Sequence, residues 1–252
     1  MAEIYWLEQT QADLPETNHW LGPSELSVLN SLMFLKRRTD WRLGRWTAKC
    51  AFALMHRIPI IPEVLAQIEI HAAASGAPQL FILARPEPVT ISISHRSESA
   101  ICAITTSKIP MGCDLEQIEP HTAGFLEDYF TPAEQLLISR APIQDHPLLT
   151  TLLWSAKESA LKAMQLGLRA DTRSVVVELS PRNRAMLWNP LRVSSHAGDL
   201  FRGWWWEASG MIRTIVAAPG GDAPICLSTG GARIHSSSFQ ADEKRVPSLA
   251  SA

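Results

Sequence analysis

The segment Met111-Gly112-Cys113-Asp114-Leu115-Glu116 separates apolar from acidic residues by parity. Successive side chains of a β-strand alternate faces, so Met111, Cys113 and Leu115 go one way and Gly112, Asp114 and Glu116 the other. Carboxylates two residues apart on a strand have Cα atoms about 6.6–7 Å apart. They can lean towards one cation, and without one they repel. Downstream, Trp154-Ser155-Ala156-Lys157-Glu158-Ser159-Ala160-Leu161-Lys162 has a helical period. A wheel at ~100° per residue puts Leu153, Ala160 and Met164 near the middle of the buried face, with Trp154 and Leu161 beside them. Glu158 falls at the margin of that face next to Lys162. Packed together, the strand and the helix bring three carboxylates to one point, which is how a hard-cation site is built.

The rest of the chain must support that meeting. Its 252 residues suffice for one large domain or two smaller units, and 46% hydrophobic against 19% charged residues is ordinary globular usage. A formal net charge of −2 gives no general attraction to phosphate backbones or anionic membranes, so no nucleic-acid or membrane partner is expected. Apolar runs are broken well short of a membrane span, and Glu3 and Glu8 stand where a targeting segment would be basic; a soluble, cytoplasmic protein is expected. Cys50, Cys102, Cys113 and Cys226 form no Cys-x-x-Cys pair and read as buried thiols rather than zinc ligands or disulfides.

Gly22-Pro23-Ser24-Glu25 opens a helix marked by Leu26, Leu29, Leu32 and Met33. A second helix is predicted from Asp40 to Arg57, with Arg42, Arg45 and Lys49 aligned on a face apart from its apolar one, and Pro59 and Pro62 ending it. Ile68–His71 is predicted as a strand before the turn Ser75-Gly76-Ala77-Pro78. A hairpin follows, Val89–Ser94 and Ala100–Thr106 joined by His95-Arg96-Ser97-Glu98. Thr131-Pro132-Ala133-Glu134 has the form of a capping box, with Glu134 in a structural role. The long helix is predicted from Asp145 or Pro147 to a Gly167 cap, then a strand from Arg173 to Leu179. Phe201–Glu207 and Met211–Ala218 form a second hairpin, with Trp204 and Trp206 on one face and Trp205 on the other. The fold class is α+β: two similar halves, residues 1–108 and 109–229, meeting near Lys108-Ile109-Pro110 as an intramolecular pseudo-dimer. Residues 230–252 are expected to be a disordered tail.

Oxygen-only ligation by Asp114, Glu116 and Glu158 points to Mg²⁺ or Mn²⁺ rather than zinc. Mg²⁺ keeps waters and recruits substrate phosphate, so a phosphorylated ligand is implied. The basic candidates are Arg45, Lys157, Lys162 and His95. Lys157, at the apolar margin, is expected to snorkel towards the anion, and Ser94 adds a hydroxyl beside His95 at a strand end.

Ile93-Ser94-His95, Met111–Glu116, Phe130–Glu134 and Trp154–Lys162 occur in the order seen in 4′-phosphopantetheinyl transferases. The pattern resembles the long, pseudo-dimeric, surfactin-synthetase-activating class, which activates peptide and polyketide synthases. The resemblance implies Mg²⁺-dependent transfer of phosphopantetheine from coenzyme A to a serine of an acyl, peptidyl or aryl carrier protein, releasing adenosine 3′,5′-bisphosphate. It implies Asp114, Glu116 and Glu158 as metal ligands, Glu158 also as base, and Lys157 and Lys162 as stabilisers of the pyrophosphate and leaving group. Ser94, His95 and Arg45 become coenzyme A contacts, and Gly76-Ala77-Pro78 resembles the Gly-Lys-Pro adenine loop, with Ala77 in place of its lysine. A monomer with internal pseudo-twofold symmetry is expected, meeting its carrier through an apolar patch near Phe125, Tyr129 and Phe130 with basic groups beside it. A non-catalytic coenzyme A or carrier-binding protein, and a Mg²⁺-dependent nucleotide pyrophosphate hydrolase, stay open as alternatives.

Overall fold

The computed structural model describes residues 2–166 and 170–228. The Gly167 cap and the 230–252 tail lie outside the described residues. In chain order the elements begin with β1 (Tyr5–Thr10), α1 (Pro23–Ser31), α2 (Leu35–His56), α3 (Pro62–Leu65), β2 (Ile68–Ala72), β3 (Pro78–Ile82), β4 (Arg85–Pro86), β5 (Thr90–Arg96) and β6 (Ser99–Thr105). They continue with β7 (Met111–Gln117), α4 (Ala123–Tyr129), α5 (Pro132–Arg140), α6 (His146–Ala163), β8 (Val175–Leu179), β9 (Asn189–Ser195), β10 (Leu200–Ala208), β11 (Met211–Ala217) and β12 (Ile225–Cys226). The fold is mixed α+β, as expected. One sheet has the order β12-β1-β6-β5, a second β7-β11-β10-β9-β8, and a third β2-β3-β4. Sequence patterning missed β1, β3 and β9, whose apolar residues are interrupted by polar ones and by Pro78 and Pro190.

Each of the two larger sheets has a helix on one face and shares a core with the other sheet on the opposite face. Leu7, Ile91, Cys102 and Ile104 pack with α2, while Trp6, Ile101 and Ala103 meet Met111, Cys113, Leu115, Trp204 and Ile215 between the sheets. On the far side, Leu152, Leu153, Ala156, Ala160 and Leu161 of α6 pack against Val193, Trp205, Ile212 and Val216. The three tryptophans obey strand parity: Trp204 and Trp206 belong to the core between sheets and Trp205 to the α6 side. Where the sheets meet, the Cys113 amide donates to Ser92 Oγ at 3.0 Å, which sets β5 against β7.

Gly112 is fixed by this packing. A Cβ there would lie 2.0 Å from the Ser159 carbonyl oxygen and 2.8 Å from the Ala163 nitrogen, so only glycine lets β7 lie directly under α6. Two other segments depart from expectation. Helix α2 starts at Leu35 rather than Asp40, drawing Lys36, Arg37 and Arg38 into its first turns. His95 sits within β5, and the hairpin turns tightly at Ser97 and Glu98, both with positive φ.

The thiols of Cys50, Cys102 and Cys113 are buried and that of Cys226 half-buried, and all four are free. Burial pushes the Cys50 thiol up to about 12. Among the described residues no helix is long and apolar enough to cross a membrane.

Candidate active site

Asp114 lies at the centre of the site, only 3% exposed. Its Oδ1 accepts from Ser94 Oγ at 2.8 Å and from Lys162 Nζ at 2.8 Å. Lys162 also donates to Ser94 Oγ at 3.1 Å and to the Cys113 carbonyl at 3.0 Å, so α6 is tied to β5 and β7 through one ammonium. Burial works against that ammonium, but Asp114, Cys113 and Glu158 outweigh it and raise its pKa.

Glu116, two residues along the same face, is pushed up to about 7 by burial and then by Asp114, against the opposing pull of Arg96 and a hydrogen bond from Trp154. Arg96 Nε stands 3.4 Å from Glu116 Oε2, and its Nη2 bonds Glu119 at 2.7 Å. Glu158 is half-buried at the helix margin, and its pKa is raised by burial and by Asp114, with Lys162 opposing. The three carboxylates therefore sense one another through Asp114.

Among the described residues no three His, Cys, Asp or Glu side chains are gathered into a ready cation cage. Two oxygens are nevertheless left over: Asp114 Oδ2 and Glu158 Oε1 are buried without a hydrogen-bond partner. A buried carboxylate oxygen with no donor is costly. This donor set fits a cation held by a few carboxylates and completed by phosphate oxygens and water, the usual Mg²⁺ arrangement.

Lys157 is placed elsewhere than expected. It is 0% exposed and does not snorkel. Its Nζ donates to the carbonyls of Thr172 at 2.9 Å and Val175 at 2.6 Å, pairs with Glu134 Oε2 at 2.9 Å, and lies 5.6 Å from the Phe130 ring centroid. Burial lowers its pKa and Glu134 opposes that. Glu134 closes the expected capping box on Thr131 and also accepts from the Val177 amide at 3.1 Å. The residue one step along the helix from Glu158 necessarily points about 100° away, here into the core.

The first part of the chain repeats this arrangement. Lys49, expected on an aligned basic face, is likewise buried. It pairs with Glu25, donates to the carbonyls of Trp20 and Leu65 at 2.9 and 3.0 Å, and lies 5.4 Å from the Trp20 ring centroid. Glu25 accepts from the Ile70 amide at 3.0 Å.

Beside the carboxylates, a cavity of about 580 Å³ is lined by Phe34, Lys36, Arg37, Asp40, Trp41, Gly44, Arg45, Ala72, Gly76, Pro78, Ile93 and His95. Arg45, Gly76, Pro78 and His95 thus come together, while Ser94 turns to Asp114 and Ala77 lines a neighbouring cleft with Lys162. The Arg45 guanidinium lies 4.9 Å from the Trp41 ring centroid, and burial lowers its pKa. Lys36, Arg37, Phe34 and Trp41 were missed as site residues. The run Lys36-Arg37-Arg38 was the available signal. Near α4, Phe125 and Tyr129 are half-buried, but Phe130 is a core residue under Lys157, and the exposed neighbours Glu127 and Asp128 are acidic rather than basic.

Residues 110–197, which carry Asp114, Glu116, Glu158 and Lys162, match the family model of the 4′-phosphopantetheinyl transferase superfamily. That match spans about a third of the chain. Enterobactin synthase component D of Salmonella typhimurium strain LT2 is 29% identical over 136 residues, 53% of this chain and 57% of that protein. Its counterpart in Salmonella typhi is 27% identical over the same length and shares. The chain thus matches little more than half the length of each. A holo-(acyl-carrier-protein) synthase from Bacillus anthracis str. Ames, solved in complex with CoA (3′,5′-ADP), is 26% identical, covering 41% of this chain and 93% of that one with a TM-score of 0.35. The matched segment takes in the strand holding Asp114 and Glu116 and the whole of α6.

Proposed function

We propose that the protein transfers 4′-phosphopantetheine from coenzyme A to a serine hydroxyl of a carrier protein, releasing adenosine 3′,5′-bisphosphate. One observation carries this: Ser94 and His95, adjacent on β5, join the carboxylate and lysine cluster to the basic cavity. Phosphates with a leaving nucleotide fit across that junction. The nucleotide half would occupy the cavity, where Lys36, Arg37, Arg45 and His95 meet its phosphates and offset the lysine lacking at Ala77. Asp114, Glu116 and Glu158 would hold Mg²⁺ with the pyrophosphate; when bound, the ion neutralises phosphate charge and orients the oxygens.

The serine oxygen attacks the phosphopantetheinyl phosphorus, and the P–O bond to the bridging oxygen breaks. The electron pair leaves on adenosine 3′,5′-bisphosphate. The serine proton passes to Glu158, whose burial raises its affinity for a proton. Lys162, held beside Asp114, stabilises charge on the leaving phosphate. Lys157 takes no part; it holds α6 to the start of β8. We further propose that the two buried Glu–Lys pairs mark two related α+β halves in one monomeric chain. In each, the first strand pairs antiparallel with a later one of the same half, β1 with β6 and β7 with β11.

Mass spectrometry of a serine-bearing carrier domain incubated with coenzyme A, Mg²⁺ and the protein tests the assignment. One phosphopantetheinyl group should be added, and Asp114→Ala should abolish the addition. An unmodified carrier, with phosphopantetheine released to water, would assign a hydrolase instead.

A further inference from the structure

Three consecutive large apolar residues stand in solvent at the start of α2: Met33 at 86%, Phe34 at 68% and Leu35 at 79% exposure. Of the three, only Phe34 lines the basic cavity. It also occupies the N-cap of a 22-residue helix and makes no side-chain capping bond, whereas Thr122 and Thr131 cap α4 and α5 through their side chains. Ser, Thr, Asp and Asn are favoured at this position because they satisfy free amides. A chain that gives up a cap for an exposed aromatic breaks a local rule, and such breaks concentrate at functional sites.

The helix supplies a stripe to the cavity wall, with Phe34, Arg37, Trp41 and Gly44 at spacings of three, four and three. Trp41 has its ring covered by the Arg45 guanidinium at 4.9 Å. Phe34, 68% exposed against a half-buried Trp41, is the more open of these two aromatic side chains. From the sheets the cavity is lined by Ile93 and His95 and by Ala72, Gly76 and Pro78, which carry little side chain, and Gly76 has φ of 89° with nothing within 4 Å of its Cβ position. A cavity with cations for phosphate, an exposed aromatic face and a stretch of small residues in its lining suits a nucleotide with a planar base.

We propose that Phe34 clamps the nucleobase of the nucleotide by stacking and so sets affinity for the leaving half of the substrate. This rests on the function proposed above. Isothermal titration in Mg²⁺ with adenosine 3′,5′-bisphosphate, and with inorganic pyrophosphate as a base-free probe, tests it. Phe34→Ala should weaken nucleotide binding by about tenfold and leave pyrophosphate unchanged. Phe34→Trp should bind within about threefold of the parent, and Phe34→Leu should stay as weak as the alanine variant. Met33→Ala and Leu35→Ala should have no effect.

Equal nucleotide affinity in the parent and in Phe34→Ala overturns the clamp while leaving the transferase assignment intact. Full affinity in Phe34→Leu overturns stacking. A parent protein that binds no adenosine 3′,5′-bisphosphate sinks the functional assignment and the clamp together.

Discussion

Replacing Lys157 with methionine separates a structural lysine from a reacting one. The substitution keeps the length of the side chain and removes an ammonium that bonds two carbonyls and one carboxylate in a fully buried position. Glu134 then remains 3% exposed without its counter-charge. Breaking a buried ion pair by removing one partner costs about 3–5 kcal/mol. Glu134 keeps its bonds from Thr131 and from the Val177 amide, which places the expectation near the lower end. For a domain of this size about 2–4 °C is lost per kcal/mol, so Tm should fall by roughly 6–12 °C. Glu134→Gln added to Lys157→Met should restore part of the loss, because the neutral amide still offers an oxygen to the Thr131 cap. Thermal unfolding by circular dichroism measures both. Transfer assayed well below Tm should retain kcat/KM within about threefold, since stabilising contacts remote from the reacting atoms do not alter transition-state binding. An unchanged Tm with lost transfer would refute the structural assignment and return Lys157 to the reaction.

Glu158→Gln should cut kcat by about 10²–10⁴ yet leave Tm equal or higher, because burial and Asp114 already disfavour its charge; a large fall in Tm would show an unrecognised stabilising partner. Gly112→Ala forces α6 away from β7 against a 2.0 Å contact, so it should cost about 1–3 kcal/mol or more and lower transfer through the lost Lys162–Asp114 bond, visible as reduced Tm and reduced kcat together. Glu116, raised from 4.5 to about 7, binds its proton more tightly folded than unfolded. Without divalent cations its contribution is therefore full below about pH 4.5 and is lost as pH rises through 7. Denaturant titrations should show stability falling across that window by about 1–3 kcal/mol after allowing for partial exposure. Glu116→Gln should flatten the fall, and a slope kept in that variant would place the titrating group elsewhere.

Strand parity and helical margin sufficed to bring Asp114, Glu116 and Glu158 into the same neighbourhood, because alternation and a period near 3.6 are local properties of a sequence. Lys157 was not legible in the same way. An amphipathic wheel grades positions by their angle from the apolar face, and a lysine at the margin satisfies it whether it bends out to water or in to a buried glutamate. The partner that decides, Glu134, is 23 residues earlier and looked complete as a cap. The cavity was half-legible for another reason. Arg45 lies within a clear helical pattern, but Lys36 and Arg37 precede it in a turn whose apolar residues face solvent, so no burial pattern announced that the helix had begun. Arg96 beside Glu116 depends on a hairpin tip meeting the end of β7, a contact that no local pattern encodes.

Helices α2 and α6 run in register from their two buried lysines. Lys49 and Lys157 sit in matching surroundings, and Trp46 and Trp154 precede them by the same three residues. One step beyond, Glu158 has Cys50 as its counterpart, and five steps beyond, Lys162 has Leu54. The first helix carries the same internal rivet but a thiol and a leucine where the second carries a base and an ammonium. On the proposed function this leaves one reacting centre per chain, and saturating nucleotide should titrate to a stoichiometry of one.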